Sequence, residues 1–339
     1  MHSHVKPRRA RLTLLAAAGL LALPAAAQNV LLLSTAEAGY AQTGYIDRIA
    51  KAYTDAGATV THQAGLLNDG TALDPALFAN QDMVVVASVQ KTVDDADLQA
   101  LETAVRTRAS DRLLSFVFIT DGCCDSAALK PHVGAETFNV TRVKDMLNRA
   151  TGWNLGLQRY YAAPPAVTSL ALNAGSPYSA HFTGANINPT LRGHDYLALT
   201  DTPAANAVYL HTGISSPQAA GATTAYTVFA PREQVNGGAG ACVMLTGDAN
   251  PFENSPLQGR QLAEASLKLR LSDTCKLPQT ITVPAQAPVP PFAANATYAL
   301  NGVTGGASGQ PLQYASTTPG VCTVDANTGV VTMLATGNC

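Results

Sequence analysis

Charge is scarce in this chain. Asp, Glu, Lys and Arg make up 13% of its 339 residues, about half the share usual in globular domains. The few basic side chains form no cluster after the first eleven residues. That excludes nucleic-acid and anionic-membrane binding, both of which draw on grouped Lys and Arg. Apolar runs long enough to cross a bilayer, about 20 residues, are absent beyond the amino terminus. The chain has a single Trp, and aromatic residues are 6%. Trp153 and Tyr160-Tyr161 are therefore read as packing groups rather than a carbohydrate platform. The histidines at 62, 132, 181, 194 and 211 show no metal-ligand spacing. No cofactor is expected.

What is present begins with a targeting pattern. Lys6, Arg8, Arg9 and Arg11 precede an apolar stretch, Leu12 to Leu23, and Ala25-Ala26-Ala27 offers a small-residue cleavage site. The pattern predicts a signal peptide over residues 1–27 and a mature chain starting at Gln28. Arg11 stands where a twin-arginine signal carries an aromatic residue or leucine, so ordinary secretory export is favoured. Cleavage leaves 17 of the 21 basic side chains against 23 acidic ones, a formal charge of −6. All six cysteines (Cys123, Cys124, Cys242, Cys275, Cys322 and Cys339) lie in the mature part. An even count in an exported chain reads as disulfides. Localisation is expected to be extracellular, cell-surface or periplasmic.

Strand and helix patterns alternate from residue 30 onward. Short apolar runs at Val30–Leu33, Ala58–His62, Met83–Ala87 and Leu113–Thr120 read as strands. Tyr45 to Ala56 and Thr92 to Arg108 have apolar positions at helical spacing, with Gly57 and Thr92 as expected caps. Helices are also expected at Val140–Thr151 and from about Leu257 to Leu271, with a strand at Ala241–Thr246. Residues 153–235 show only two strand-like pieces, Val208–His211 and Tyr226–Phe229. Alternating strands and helices predict an α/β fold with a mainly parallel sheet flanked by helices. From Gln279 the composition shifts to Pro, Thr, Ala and Gly without a helical period. The predicted organisation is an α/β domain over 28–275, a Pro-rich linker and first strand over 276–296, and a small all-β module over 297–339.

Two resemblances follow from particular residues. Gln279-Thr-Ile-Thr-Val, Ser316-Thr-Thr-Pro-Gly-Val-Cys-Thr-Val324 and Val330 to Cys339 resemble bacterial Ig-like repeats of secreted and surface proteins. In those repeats a few residues follow the second cysteine, so the module reads as incomplete. Val30–Leu33, Asp82-Met-Val-Val-Val-Ala87, Asp94–Val105, Asn188-Pro-Thr-Leu-Arg-Gly193 and Val243-Met-Leu-Thr-Gly-Asp248 with Phe252 and Asn254 resemble the class I glutamine-amidotransferase-like, flavodoxin-like fold. That family's nucleophile sits in Gly-x-Cys-x-Gly and is served by a later His-x-Glu. This chain has Asp121-Gly-Cys-Cys-Asp125, and after residue 200 its one histidine is His211, followed by Thr212. The resemblance implies the fold without the catalytic set. Thr120-Asp121-Gly122 also matches a strand end of von Willebrand A domains, but Ser34-Thr-Ala-Glu-Ala38 lacks the aspartate their metal site requires.

Ligands of open parallel sheets bind beyond the carboxyl ends of the strands. Ser34 and Glu37, Ser88, Asp121 and Asp125, and Asp248 and Asn250 follow such ends and define a candidate ligand crevice. Asp248, Asn250, Glu253 and Asn254 are oxygen donors of the type that binds Ca²⁺, though their spacing is not that of an EF-hand and Pro251 interrupts it. Cys123 and Cys124, with His132 as a loose base candidate, could supply a thiolate nucleophile. The competing reading pairs them with each other or with Cys242 and Cys275. Cys322 and Cys339 are expected to pair together. The function expected is binding of an undetermined ligand or cell-surface partner, or display, by a non-catalytic α/β domain. The alternatives are an extracellular hydrolase using Cys123 or the acidic crevice, and adhesion through the β module.

Overall fold

In the computed structural model the described residues are 27–36, 44–88, 92–108, 110–120, 139–161, 167–184, 191–192, 195–212, 224–247, 249, 251–252, 255–277, 281–305 and 312–339. The first half builds strands β1 (Asn29–Ser34), β2 (Thr59–Gln63), β3 (Met83–Ser88) and β4 (Ser115–Thr120). Helices α1 (Tyr45–Asp55), α2 (Asp95–Thr107) and α3 (Asn139–Thr151) lie between and after them. The second half contains β5 (Gly156–Tyr161), β6 (Val167–Leu172), β7 (Leu191–Arg192), β8 (Asp195–Thr200), β9 (Ala207–Thr212), β10 (Ala225–Ala230) and β11 (Cys242–Thr246), then α4 (Pro256–Arg270). A separate sheet is made by β12 (Thr297–Ala299), β13 (Cys322–Val324) and β14 (Val330–Met333).

The main sheet runs in the order β2-β1-β3-β4-β11-β10-β9-β6-β7, with β8 on β10 and β5 on β8. β2, β1, β3, β4 and β11 are parallel neighbours. The strand order matches the flavodoxin-like order 2-1-3-4-5. From β10 onward the pairing is antiparallel. The expected mainly parallel sheet is thus the helix-flanked half, and an antiparallel extension continues it. Residues 156–200 contribute most of that extension. Its strands are short and interleaved with Pro and Gly, so few of them showed a period in the sequence.

The central strands are buried on both faces because helices cover both. Val30 and Leu32 belong to one core with Ile46, Ile49 and Tyr53 of α1 and Leu262 and Leu267 of α4. Leu31 and Leu33 belong to the other with Leu101 and Val105 of α2 and Met146 and Leu147 of α3. This is why β1, β3 and β4 read as unbroken apolar runs instead of alternating patterns. Trp153 packs against the second core, as its packing role required.

Helix boundaries follow local chemistry. Ser255 accepts a hydrogen bond from Gln258 N at 3.3 Å and Pro256 opens α4, a favourable cap and first position. The expected Thr92 cap is not the observed one. Asp94 is the cap residue of α2, and its side chain makes no capping bond. Instead Asp94 Oδ2 accepts from Gly70 N at 2.8 Å, and Asp97 Oδ1 accepts from Leu73 N at 2.9 Å. The acidic first turn of α2 is spent on pinning the 66–74 loop.

The small sheet is antiparallel, ordered β12-β14-β13. The stretch before β12 is tied to it: Tyr298 donates from its hydroxyl to Ala287 O at 2.6 Å, and Gln286 Nε2 donates to Asn301 O at 3.0 Å.

Candidate functional site

Four neighbouring parallel strands end at nearly the same level. Register pairs Ser34 with Ala87, Ser88 with Thr120, and Ile119 with Thr246. The carboxyl edge is therefore stepped by Ser34, Ser88, Thr120 and Thr246 in adjacent strands. The chain moves outward from β1 to β2 on one side and from β3 to β4 on the other. In open α/β sheets this reversal, here between β1 and β3, is the position at which ligands bind.

Each described group on this edge has a local role. Thr120 Oγ1 donates to Thr246 O at 2.7 Å, tying β4 to β11 with both groups buried. Ser34 is 1% exposed, and its hydroxyl lies 3.1 Å from Nε2 of His62, the next-to-last residue of β2. Two residues on, Ala36 N donates to Asn68 Oδ1 at 2.7 Å, which pins the exit of β1. The far side of the crevice, where β3 gives way to α2, is fixed by Val93 N donating to Asn139 Oδ1 at 2.9 Å. The Ser34–His62 contact ties β1 to β2, on the side of β1 away from the reversal.

Of the expected crevice residues, the structure brings the positions of Ser34 and Ser88 onto adjacent strands. Glu37, Asp121, Asp125, Asp248 and Asn250 lie outside the described residues, as do Cys123, Cys124, His132, Glu253 and Asn254. The strands that precede most of these positions, β1, β4 and β11, lie with β3 in one parallel run. His62, which meets Ser34, was not among the expected crevice residues. Its signal was available, since it is the last residue of a strand readable in the sequence. Among the described residues, no three His, Cys, Asp or Glu side chains come together in a way that could hold a metal ion.

The disulfides correct one alternative. Cys242 pairs with Cys275, and Cys322 with Cys339. Cys242 and Cys275 are therefore not partners of Cys123 and Cys124, which lie outside the described residues. Cys242 and Cys275 are both 0% exposed.

His211 lies near the same edge, on β9, which is antiparallel to β10 as β11 is. Its ring meets Tyr226 edge-on at 6.0 Å, and both ring nitrogens are shielded from solvent. Burial lowers its pKa to about 4. The neutral form is therefore the folded one. Its contribution to stability is complete above the unfolded value of about 6.5 and is lost as pH falls from there toward 4. Discounting the side chain's partial exposure, the loss is expected to be on the order of 2 kcal/mol. Urea midpoints from pH 7.5 to 4 should show this slope flattened in His211→Leu; a parallel slope in that variant would refute it.

Parallel strands in the order 2-1-3-4 with α-helices on both faces define a mixed α/β protein with a large central sheet. No protein-family model matches the chain, and no curated protein matches it. Two solved structures do. One is a ThuA-like protein from Parabacteroides merdae, 10% identical, covering 72% of this chain and 90% of its own, with a TM-score of 0.40. The other is a ThuA-like protein from Bacteroides uniformis, 10% identical, covering 76% of this chain and 97% of its own, with a TM-score of 0.43.

Proposed function

We propose that this is an exported bacterial protein, secreted or surface-displayed, whose α/β domain binds a small polar ligand without turning it over. The observation that carries the reading is the reversal of strand order between β1 and β3, with Ser34 and His62 in contact beside it. Two disulfides support an oxidising compartment. No helix among the described residues is long and apolar enough to cross a membrane. The residues of Asp121-Gly-Cys-Cys-Asp125 and the lack of a later His-x-Glu support an amidotransferase-like domain without catalysis. The C-terminal segment is read as an Ig-like module, supported by three antiparallel strands and the Cys322–Cys339 bridge.

The test is thermal-shift screening of the full chain against sugars, amino acids and small carboxylates. A true ligand at a hundredfold its Kd stabilises by about 2.7 kcal/mol. Ser34→Ala and His62→Ala should each weaken that ligand roughly tenfold or more, the equivalent of about 1.4 kcal/mol. Binding untouched by both variants would move the site elsewhere. Consumption of the ligand, abolished by Cys123→Ser, would replace binding with hydrolysis.

A further inference from the structure

The amino edge of the sheet, opposite the crevice, holds Gln28 in an unusual setting. Its backbone carbonyl accepts from Thr59 N at 2.9 Å, starting the β1–β2 ladder. Its side-chain Oε1 accepts from Arg270 Nη1 at 3.2 Å. Arg270 is itself buried and fixed, donating from Nε to Asp82 O at 2.8 Å and from Nη2 to Asp82 Oδ1 at 2.7 Å. Ala27, the residue before, is exposed. Both border a cavity of about 220 Å³ that Glu264, Leu267, Lys268 and Leu271 also line.

We propose that Gln28 is a modification site: once the Ala27–Gln28 bond is cut, it closes to pyroglutamate against the Arg270 guanidinium. This rests on the export reading, which places the cleavage at that bond. The released α-amine attacks Cδ of its own side chain. One C–N bond forms, the carboxamide C–N bond breaks, and ammonia leaves carrying the amine's proton. No oxidant or co-reactant is needed. Negative charge develops on Oε1 during the attack, and Oε1 is the oxygen that Arg270 contacts. A fixed cationic donor at that position stabilises the transition state. The product lactam keeps this oxygen as an acceptor for Arg270. It also removes an α-ammonium from beside Arg270 and Lys268, leaving two cations there instead of three. Glu264, the one carboxylate among the residues lining the cavity, is paired with Arg260 at 2.7 Å.

The experiment is intact and amino-terminal peptide mass measurement on the full chain recovered from outside the producing cells. The expected chain starts at residue 28, is lighter than free Gln28 by one ammonia, and resists aminopeptidase until a pyroglutamyl peptidase is added. A start at Gln28 with a free amine overturns the modification and leaves export standing. A start at any other residue overturns it too, and an uncleaved Met1 start removes the export reading with it. A second measurement tests the contribution of the folded setting. Gln28 is freshly exposed by a specific protease in purified protein, and ammonia release is followed in buffer and in urea. Folded protein should cyclise more than about tenfold faster, short of the roughly 10²–10³-fold of a dedicated oxyanion donor. Equal rates would overturn the role of the fold. Gln28→Ala, which has no side-chain carbonyl to close on, serves as the reference for a retained free amine.

Discussion

Asp82→Ala is expected to lower the unfolding free energy by about 3–5 kcal/mol, the cost of leaving a buried cation without its partner. One carboxylate serves four groups. Oδ1 accepts from Arg112 Nε at 3.0 Å and Arg270 Nη2 at 2.7 Å. Oδ2 accepts from Arg112 Nη2 at 3.0 Å and Asn29 N at 2.7 Å. The two arginines contribute unequally. Arg112 is half exposed, so its pair with Asp82 is largely screened. The Arg270 side chain is 8% exposed, and its pKa is lowered by burial against the opposing pull of Asp82. Removing Asp82 strands that charge. The hydrogen-bond-preserving Asp82→Asn should cost less. Asp82→Leu with Arg270→Met should recover much of the loss, because a buried ion pair is often no better than well-packed hydrocarbon. Urea unfolding followed by two spectroscopic probes checks all three. A change below about 1 kcal/mol in Asp82→Ala would mean water reaches Arg270.

Removing the Cys242–Cys275 bridge as Cys242→Ala with Cys275→Ala is expected to cost about 3.7 kcal/mol. The two residues are 33 apart, and chain-entropy arithmetic for a loop of that length yields this figure. The bridge joins the first residue of β11 to the chain just after α4. Releasing it frees the last helix from the sheet in the unfolded ensemble. Both residues are fully buried, so native protein should resist reductant there. Cys322–Cys339 closes a span of 17 residues, worth about 3 kcal/mol by the same arithmetic, and Cys339 is exposed. Differential alkylation under increasing dithiothreitol should therefore label Cys322 and Cys339 first. Labelling of Cys242 and Cys275 before or together with them would contradict the burial argument.

The parallel half of the sheet was legible because its signals are local. Val30–Leu33, Met83–Ala87 and Leu113–Thr120 are apolar runs whose length suits a strand and not a helix. α1 and α3 end at Gly57 and Gly152, both with positive φ, where glycine carries no steric penalty. The antiparallel half was hardly legible. β5, β6 and β8 draw their stability from pairing with strands distant in sequence, such as Gly156 with Thr200 and Leu172 with Tyr209. The cap of α2 was misplaced for a related reason. Asp94 bonds to Gly70, 24 residues away, and no local pattern announces that.

The candidate site divides in the same way. That Ser34 and Ser88 end strands could be read from the chain, as could the deviations from the amidotransferase pattern at Asp121–Asp125. That Ser34 meets His62 could not, since their contact needs β1 and β2 to be parallel neighbours in register. The same holds for Asp82, readable in the sequence only as the start of a strand segment, which anchors Arg270 from 188 positions away.

By itself, then, the sequence determined the strands and helices of the parallel half, an even set of cysteines of which four pair in the structure, and a low content of charge. These depend on side-chain period, residue count and charge, which are properties of short stretches or of composition. Tertiary structure alone decided the strand order, the Cys242–Cys275 pairing, the Ser34–His62 contact and the Gln28–Arg270–Asp82 chain. Each joins residues from separate elements, and their approach is set by how two cores pack on either side of one sheet.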